Sequence, residues 1–472
     1  MAMGKRRARQ QELWIATKEL PRTRGHVFYD RVNEILNNEG FDGFAEKECV
    51  RFYKSETMGR PSIAPGVYFR MLMVGYFEGI DSERGIAWRC ADSLSLKNFL
   101  GYALTESTPD HSTVSRTRRL IDLETHARVF TWMLEVLARH GWIDGKTVGI
   151  DGTTLEANAA MRSIVRRDTG ESYTDFLMKL AKASGIETPT REDLAKLDRN
   201  RAKKGCNEEW EHPDDPDAKI TKMKDGRTHL AHKAEHAVDM ETGAVLAVTL
   251  QDANAGDTTT IQQTLIAVAE QMETLTDNPE AAAQISEKWL AELVTDKGYH
   301  SNETLVDLKE FEIRSYVSEP KRGRRNWIGK PDERDAVYAN RRRIQGERGK
   351  NLLRRRGLML ERPFAHCYET GRMRRVHLRG RENILKRLLI HIAGFNLSLV
   401  LRLMTGKGTP RGLQDLATIY FFTLIVLVNP SWQVLDAVGD STEPRMLTST
   451  HQRLSLIELG NRHYCHGLLG SR

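Results

Sequence analysis

The chain has 472 residues, 71 of them Lys or Arg against 64 Asp or Glu, for a formal charge of +7 and a pI near 9.0. That length exceeds one ordinary core and points to two or three domains, with room for a sizeable catalytic one. Five cysteines, Cys49, Cys90, Cys206, Cys367 and Cys465, are scattered singly with no CxxC pair, which argues against a disulfide framework or structural zinc and suits a reducing compartment.

The N-terminus is basic (Lys5, Arg6, Arg7, Arg9) and lacks the apolar core of a secretory signal. From Val27 to about Gly141 apolar residues recur at threes and fours, as in Val67, Met71, Val74 and Phe77, which predicts helices. Pro61, Pro65 and the phrase Thr108-Pro109-Asp110-His111-Ser112-Thr113 mark helix entries. Ser112 to Arg119 reads as the opening of a recognition helix, with Arg116 and Arg119 placed to meet DNA, or equally as a plain surface helix. Residues 1–140 are expected to form a helical DNA-binding domain.

At Trp142 the pattern changes. Lys146 to Ile150 is a β-type run ending in Asp151-Gly152. A polar stretch at about 158–225 reads as an insertion, followed by a hairpin signal, Thr228 to Val238 and Ala244 to Leu250 around Glu241-Thr242-Gly243. A helix is predicted over Thr258 to about Thr274, a buried strand over Leu290 to Thr295 ending in Asp296-Lys297-Gly298, a helix over Asn302 to Lys309 and a strand over Arg314 to Val317. Helix is expected around Glu361 on to Thr370, and an amphipathic helix over Ile384 to Met404. Residues 141–405 would be the catalytic domain and 406–472 a partly apolar tail of unknown function. The longest apolar stretch noted, Leu416 to Val428, falls short of the ~20 residues a membrane span needs, so a cytoplasmic protein off the membrane is expected.

Charge clustering points to a polyanionic partner. The densest cluster is Arg341, Arg342, Arg343, Arg348, Lys350, Arg354, Arg355 and Arg356; a second, Lys321, Arg322, Arg324 and Arg325, precedes Trp327. Arginine prevails, as forked contacts to phosphate require, although a solvated charged face gives the same pattern.

Two short strands each end in an aspartate with glycine at once or nearly so after it. That places Asp151 and Asp296 at the carboxyl edge of a sheet, where α/β proteins carry their sites, although Asp-Gly is also plain turn chemistry. With a glutamate on a later helix they would supply the hard oxygen ligands that two-metal phosphodiester chemistry needs, the two ions lying about 3.5 to 4 Å apart.

Several phrases carry a family resemblance: VGIDGTTLEANAA (Val148 to Ala160), HLAHKAEHAVDMETGAVLAV (His229 to Val248), TDKGYHSNETL (Thr295 to Leu305), LERPFAHCYETGRMRRVHLRG (Leu360 to Gly380) and IHIAGFNLSLVLRLM closing at Met404. They resemble the DDE transposases of bacterial insertion sequences, and GRPSIAP (Gly59 to Pro65) and PDHSTVSR (Pro109 to Arg116) resemble the helical domain preceding their catalytic core. The resemblance implies an α/β fold with a ribonuclease H-like core and an all-α N-terminal domain. It implies Asp151, Asp296 and Glu361 as catalytic metal ligands, Mg²⁺ (or Mn²⁺), two ions, as cofactor, and cleavage at terminal inverted repeats followed by strand transfer into target DNA. A homodimer on DNA follows from the family and from paired ends.

The sequence departs from the family around the glutamate: where many relatives place Tyr, Arg and Lys or Arg, it has Arg354, Gly357 and Tyr368. Spacing alone fits Glu347 better, with Arg343 four before and Arg354 seven after; Glu361 is preferred because the residues following it match the family, and Glu369 comes third. Lys297, Arg324, Arg325, Arg341, Arg342, Arg343, Arg354 and Arg362 are candidate DNA contacts, and Trp327 a base-stacking candidate, with packing as the alternative. His366 reads as a phosphate contact or a core histidine; His236 and Asp257 lie in family-like phrases and support the site without an assigned role. The rival readings are a repair or restriction nuclease and a DNA binder, or decayed transposase, without catalysis.

Overall fold

A computed structural model describes residues 24–53 and 62–405, with breaks at 202–204, 224, 322 and 324, together with 20, 408 and 410. The basic N-terminal run, Arg322, Arg324 and nearly all of the C-terminal tail lie outside the described residues.

The N-terminal part is helical, as the periodicity predicts: α1 (Arg24–Asn38), α2 (Phe41–Cys49), α3 (Pro65–Glu78), α4 (Glu83–Ala91), α5 (Leu94–Phe99), α6 (His111–Leu120) and α7 (Leu123–Arg139). The boundaries follow local chemistry. Pro65 occupies the first turn of α3, where a missing N–H costs nothing, and Ser82, Ser93, Asp110 and Asp122 each cap a helix by accepting a backbone N–H.

The sheet begins with β1 (Thr147–Glu156). The expected insertion has structure of its own: β2 (Val165–Arg166), α8 (Tyr173–Ala183), α9 (Arg191–Asn200) and β3 (Trp210–Glu211), β2 pairing with β3 beside a small core of Ile164, Trp210 and Ala218. Its end differs from the expected boundary at 225, because β4 (Lys219–Lys222) already pairs with β5 (Thr228–Asp239) in the main sheet. β6 (Val245–Asp252) completes the hairpin, α10 (Asp257–Thr276) and the short α11 (Pro279–Ala282) follow, then β7 (Glu292–Thr295), α12 (Asn302–Glu310), β8 (Arg314–Val317), α13 (Pro331–Gln345), α14 (Glu347–Phe364) and α15 (Arg381–Thr405). Between α14 and α15, residues Ala365–Thr370 widen into a π-helical turn directly after Pro363.

The main sheet runs β4-β5-β1-β7-β8, with β6 also on β5. β5 is antiparallel to β1 and β6, whereas β1, β7 and β8 are parallel. An antiparallel meander continued by two parallel strands, with helices on both faces, is the ribonuclease H-like arrangement. Asn side chains close two of the edges: Asn396 of α15 exchanges hydrogen bonds with the Val245 backbone, and Asn340 of α13 does the same with Val317.

α14 crosses one face, its Leu352 and Met359 packing with Met240, Val294 and Tyr316. It approaches β1 closely because residue 149 is glycine; a Cβ there would lie 2.7 Å from Met240 Sδ and 3.1 Å from a Leu360 methyl. Gly149→Val is expected to push α14 off the sheet and cost about 1–3 kcal/mol, read as a lower urea midpoint. α10 covers the opposite face, and α15 packs against α7 and α3, so the N-terminal helices and the sheet share one core. Within it the buried Arg387 of α15 donates to the carbonyls of Leu72 (2.6 Å) and Ile80 (3.2 Å), which offsets part of the cost of burying its charge while leaving its Nε without a hydrogen-bond partner. α15 is, among the described residues, the one helix long and apolar enough to cross a membrane, and it is almost wholly buried inside the protein as a core helix.

Candidate active site

Strand register brings the two aspartates together. β1 and β7 pair as Thr147 with Glu292, Val148 with Leu293 and Gly149 with Val294. Asp151 and Asp296 each lie two residues beyond the last of these pairs; Asp296 follows the end of β7 as expected, but β1 does not end at Asp151, because its pairing with β5 carries it on to Glu156. Side chains alternate along a strand, so Asp151 shares the face of Gly149, the face that α14 covers.

Asp151 is a quarter exposed. One of its oxygens accepts the Gly152 N–H (2.8 Å) and the other meets Arg356 Nη1 of α14 (3.1 Å). Burial is the main influence on this carboxyl and pushes it up to about 6; Arg356 and the Gly152 N–H pull it down, and the charges of Asp296 and Asp257 push it up again. Asp296 caps the tight turn Lys297–Tyr299 by accepting the Gly298 N–H (2.8 Å), and Lys297 is exposed. Residue 298 must be small: a Cβ would lie 2.2 Å from Asp257 Oδ2 and 3.1 Å from Asp296 Oδ1. Asp257, the first residue of α10, is therefore a third carboxylate beside the pair, and the sequence attached no role to it.

Behind these acids, on the α10 face, lies a buried polar layer. Lys233 Nζ meets Asp257 (2.6 Å), Glu235 (2.9 Å) and the Thr260 hydroxyl (2.8 Å). Glu235, fully buried, also accepts from Thr260, Thr264 (2.7 Å) and Tyr299 (3.0 Å). Burial and the nearby charges of Glu235, Asp257 and Asp151 raise the Tyr299 phenol far above its ordinary range, so it stays a donor. The signal for this layer is present in the chain, a lysine and a glutamate alternating on one face of β5, but strand alternation alone does not separate it from a solvated face.

Glu361 lies on α14 and is exposed. Its neighbour Leu360 packs against Gly149, and Phe364 packs on His236, whose β5 position pairs with Asp151. Among the described residues no three acidic, His or Cys side chains are gathered closely enough to hold a metal, whether Asp151 and Asp296 are taken with Glu361 or with Asp257. Glu347 begins the same helix at the other end of the strands: its neighbour Arg348 pairs with Glu292, the first residue of β7, and Glu347 itself is solvent-exposed. Glu369 sits in the π turn, paired with Arg374 (2.6 Å). Arg374 also donates to the Thr153 hydroxyl and the Thr154 carbonyl of β1, fixing the strand just past Asp151.

The basic cluster divides in two. Arg341 and Arg325 bind Glu319, Arg343 binds the Ser315 carbonyl and hydroxyl, Arg348 binds Glu292 and Arg355 binds Glu241, so these guanidinium groups are engaged within the protein. Arg342, Arg354 and Arg362 are exposed, as are Arg116 and Arg119 on α6, where Arg116 bends back onto Ser112 and Thr113. Trp327 is half-buried against the core with Arg325 over its ring, and Arg324 lies outside the described residues. His236 is buried and bonded to the Tyr368 hydroxyl (2.6 Å), and burial lowers it to about 3. His366 is half-buried near Phe395, held low at about 4 mainly by burial and further by Arg402 and Arg362.

Searches of curated proteins and of solved structures find no match to this chain. Two family models match: one described as "Transposase domain (DUF772)" over residues 17–120, and one described as "Transposase DDE domain" over residues 138–397. The second spans more than half of the chain and contains β1, β7 and α14 with their carboxylates. The chain belongs to the DDE transposase family.

Proposed function

We propose that this transposase cuts DNA at the ends of an insertion sequence and joins the freed 3′ ends to target DNA, using Asp151, Asp296 and Glu361 and acting as a homodimer on paired ends. The observation that carries this reading is the in-register placement of Asp151, midway along β1, and Asp296, directly after β7, on two adjacent parallel strands beneath the helix that bears Glu361.

The donors are of the right chemistry for a hard divalent cation, although the three proposed ligands are not gathered around one point in this structure. The acids meet as neighbouring carboxylates, Asp151 is raised by burial and by two like charges, and the nearby oxygens are of the class Mg²⁺ and Mn²⁺ select. When bound, such ions lower the pKa of an attacking hydroxyl and offset charge on the leaving oxygen. Asp151 would hold them from within β1 and Asp296 from the turn after β7, and Glu361 would complete the set from α14. Gly298 lets the Asp296 turn pass close to Asp257, and the Lys233–Glu235 layer keeps the floor of the site rigid. Lys297, exposed next to Asp296, is placed to hold a scissile phosphate.

The test is strand transfer. A labelled terminal-repeat duplex carrying a pre-nicked 3′ end is incubated with a supercoiled plasmid and Mg²⁺ or Mn²⁺; covalent joining of label to plasmid is expected. Hydrolysis alone would favour a repair or restriction nuclease, and binding without any metal-dependent cutting would favour a DNA binder that has lost catalysis.

DNA affinity should follow the split among the arginines. Arg342→Ala, Arg354→Ala and Arg362→Ala are each expected to weaken duplex binding and to reduce the salt slope of log K by about 1. Arg348→Ala is expected to leave the slope unchanged and to lower stability instead, because it abandons the buried Glu292.

A further inference from the structure

We propose that Arg356 is a positioning residue that holds Asp151 while DNA is absent and releases it, exchanging the carboxylate for a phosphate oxygen, when DNA and metal arrive together. The inference rests on the reading of Asp151 as a metal ligand.

Three observations support it. First, both oxygens of Asp151 already have donors, the Gly152 N–H on one and Arg356 on the other, so a cation reaching the second oxygen competes with the guanidinium and is repelled by its charge. Second, Arg356 is itself only about one-fifth exposed and projects from α14 toward the sheet, so this is a held contact and not a solvated surface pair. Third, Glu361 is five residues further along α14, about 140° around the helix. The helix thus turns Arg356 toward Asp151 while the carboxylate of Glu361 is exposed.

The charges make the exchange reversible. Without a cation the site sets Asp151, Asp296 and Asp257 near one another, and Arg356 is the guanidinium paired with Asp151. A divalent ion takes over that compensation and repels Arg356, and a DNA phosphate offers the freed guanidinium a forked acceptor. Metal and DNA would then bind with positive coupling: each pays part of the cost of breaking the Arg356–Asp151 pair, so either makes the other's binding easier.

Mn²⁺ titration of the DNA-free full chain by calorimetry tests this, comparing wild type, Arg356→Met, Asp151→Asn and the double variant, with thermal melts to confirm folding. Arg356→Met is expected to bind Mn²⁺ ~10-fold more tightly than wild type, and terminal-repeat duplex should tighten Mn²⁺ binding in wild type more than in Arg356→Met. A purely structural arginine would give the opposite sign, because its loss loosens the site. If Arg356→Met does not fold, Arg356→Gln carries the same expectation. Mn²⁺ binding by the folded Arg356 variant no tighter than wild type, with Asp151→Asn still weakening it, overturns the exchange and leaves the metal reading standing. Mn²⁺ binding unaffected by Asp151→Asn in both backgrounds overturns the metal reading itself.

Discussion

Asp151→Asn, Asp296→Asn and Glu361→Gln are each expected to lower metal-dependent cleavage of a terminal-repeat duplex by at least ~10³-fold while leaving duplex affinity within about 3-fold. The two effects separate because hard-metal ligation resides in the carboxylates and DNA affinity in exposed arginines. Glu347→Gln, at the far end of α14, should cut within about 2-fold of wild type. Activity lost in Glu347→Gln and kept in Glu361→Gln would move the third carboxylate to the start of the helix.

Stability gives the same site a second readout. Burial raises the Asp151 carboxyl from 3.8 to about 6 in the folded chain. A carboxyl raised on folding binds its proton more readily in the folded state, so stability falls as pH rises from about 4 through 6, and the deficit is full above that window. Asp151→Asn is therefore expected to melt later than wild type at pH 7.5 in EDTA, with the gap closing toward pH 4. Earlier melting at pH 7.5 would mean that the Arg356 ion pair outweighs the burial of the charge.

Much of this arrangement was legible in the chain because it is local. The hairpin of β5 and β6 follows from alternation on either side of Glu241-Thr242-Gly243, and the end of β7 at Asp296 follows from a short apolar run with Gly close behind, whereas Asp151-Gly152 does not end β1. What escaped depends on partners far away in sequence. The run Arg341 to Arg356 reads as a polyanion grip, yet Glu319, Ser315, Glu292, Glu241 and Asp151 take most of its guanidinium groups. Charge density shows that a segment is basic and cannot show which acids the fold brings to it. Asp257 reads as supporting the site only because it lies in a family-like phrase; what it does there depends on the approach of the Asp296 turn through Gly298, which the sequence does not show. The strand β4 was hidden for a different reason: four residues beside a charge-rich excursion carry too little periodicity to separate from a loop.

Glu235→Ala is expected to be the most destabilising of the single substitutions considered, by about 3–5 kcal/mol, read as an earlier first transition in urea. Glu235 is fully buried, and its carboxylate accepts from the Thr260, Thr264 and Tyr299 hydroxyls and pairs with Lys233. Truncation leaves those hydroxyls without their acceptor in a dry layer, each unmet donor costing on the order of 1 kcal/mol or more, and opens a cavity between β5 and α10. Lys233 keeps Asp257 and the Thr260 hydroxyl, so its ammonium is not stranded. Glu235→Gln keeps the shape and an acceptor oxygen while losing the charge, and should cost about half as much. The functional consequence tests the floor assignment: at a temperature where Glu235→Gln remains folded, cleavage should fall by roughly 10-fold through Asp257 and Gly152, which this layer positions, with duplex affinity unchanged. Full activity in a folded Glu235→Gln chain would make the layer a matter of stability alone, and the geometry of Asp151 and Asp296 would then rest on strand register and the Gly298 turn.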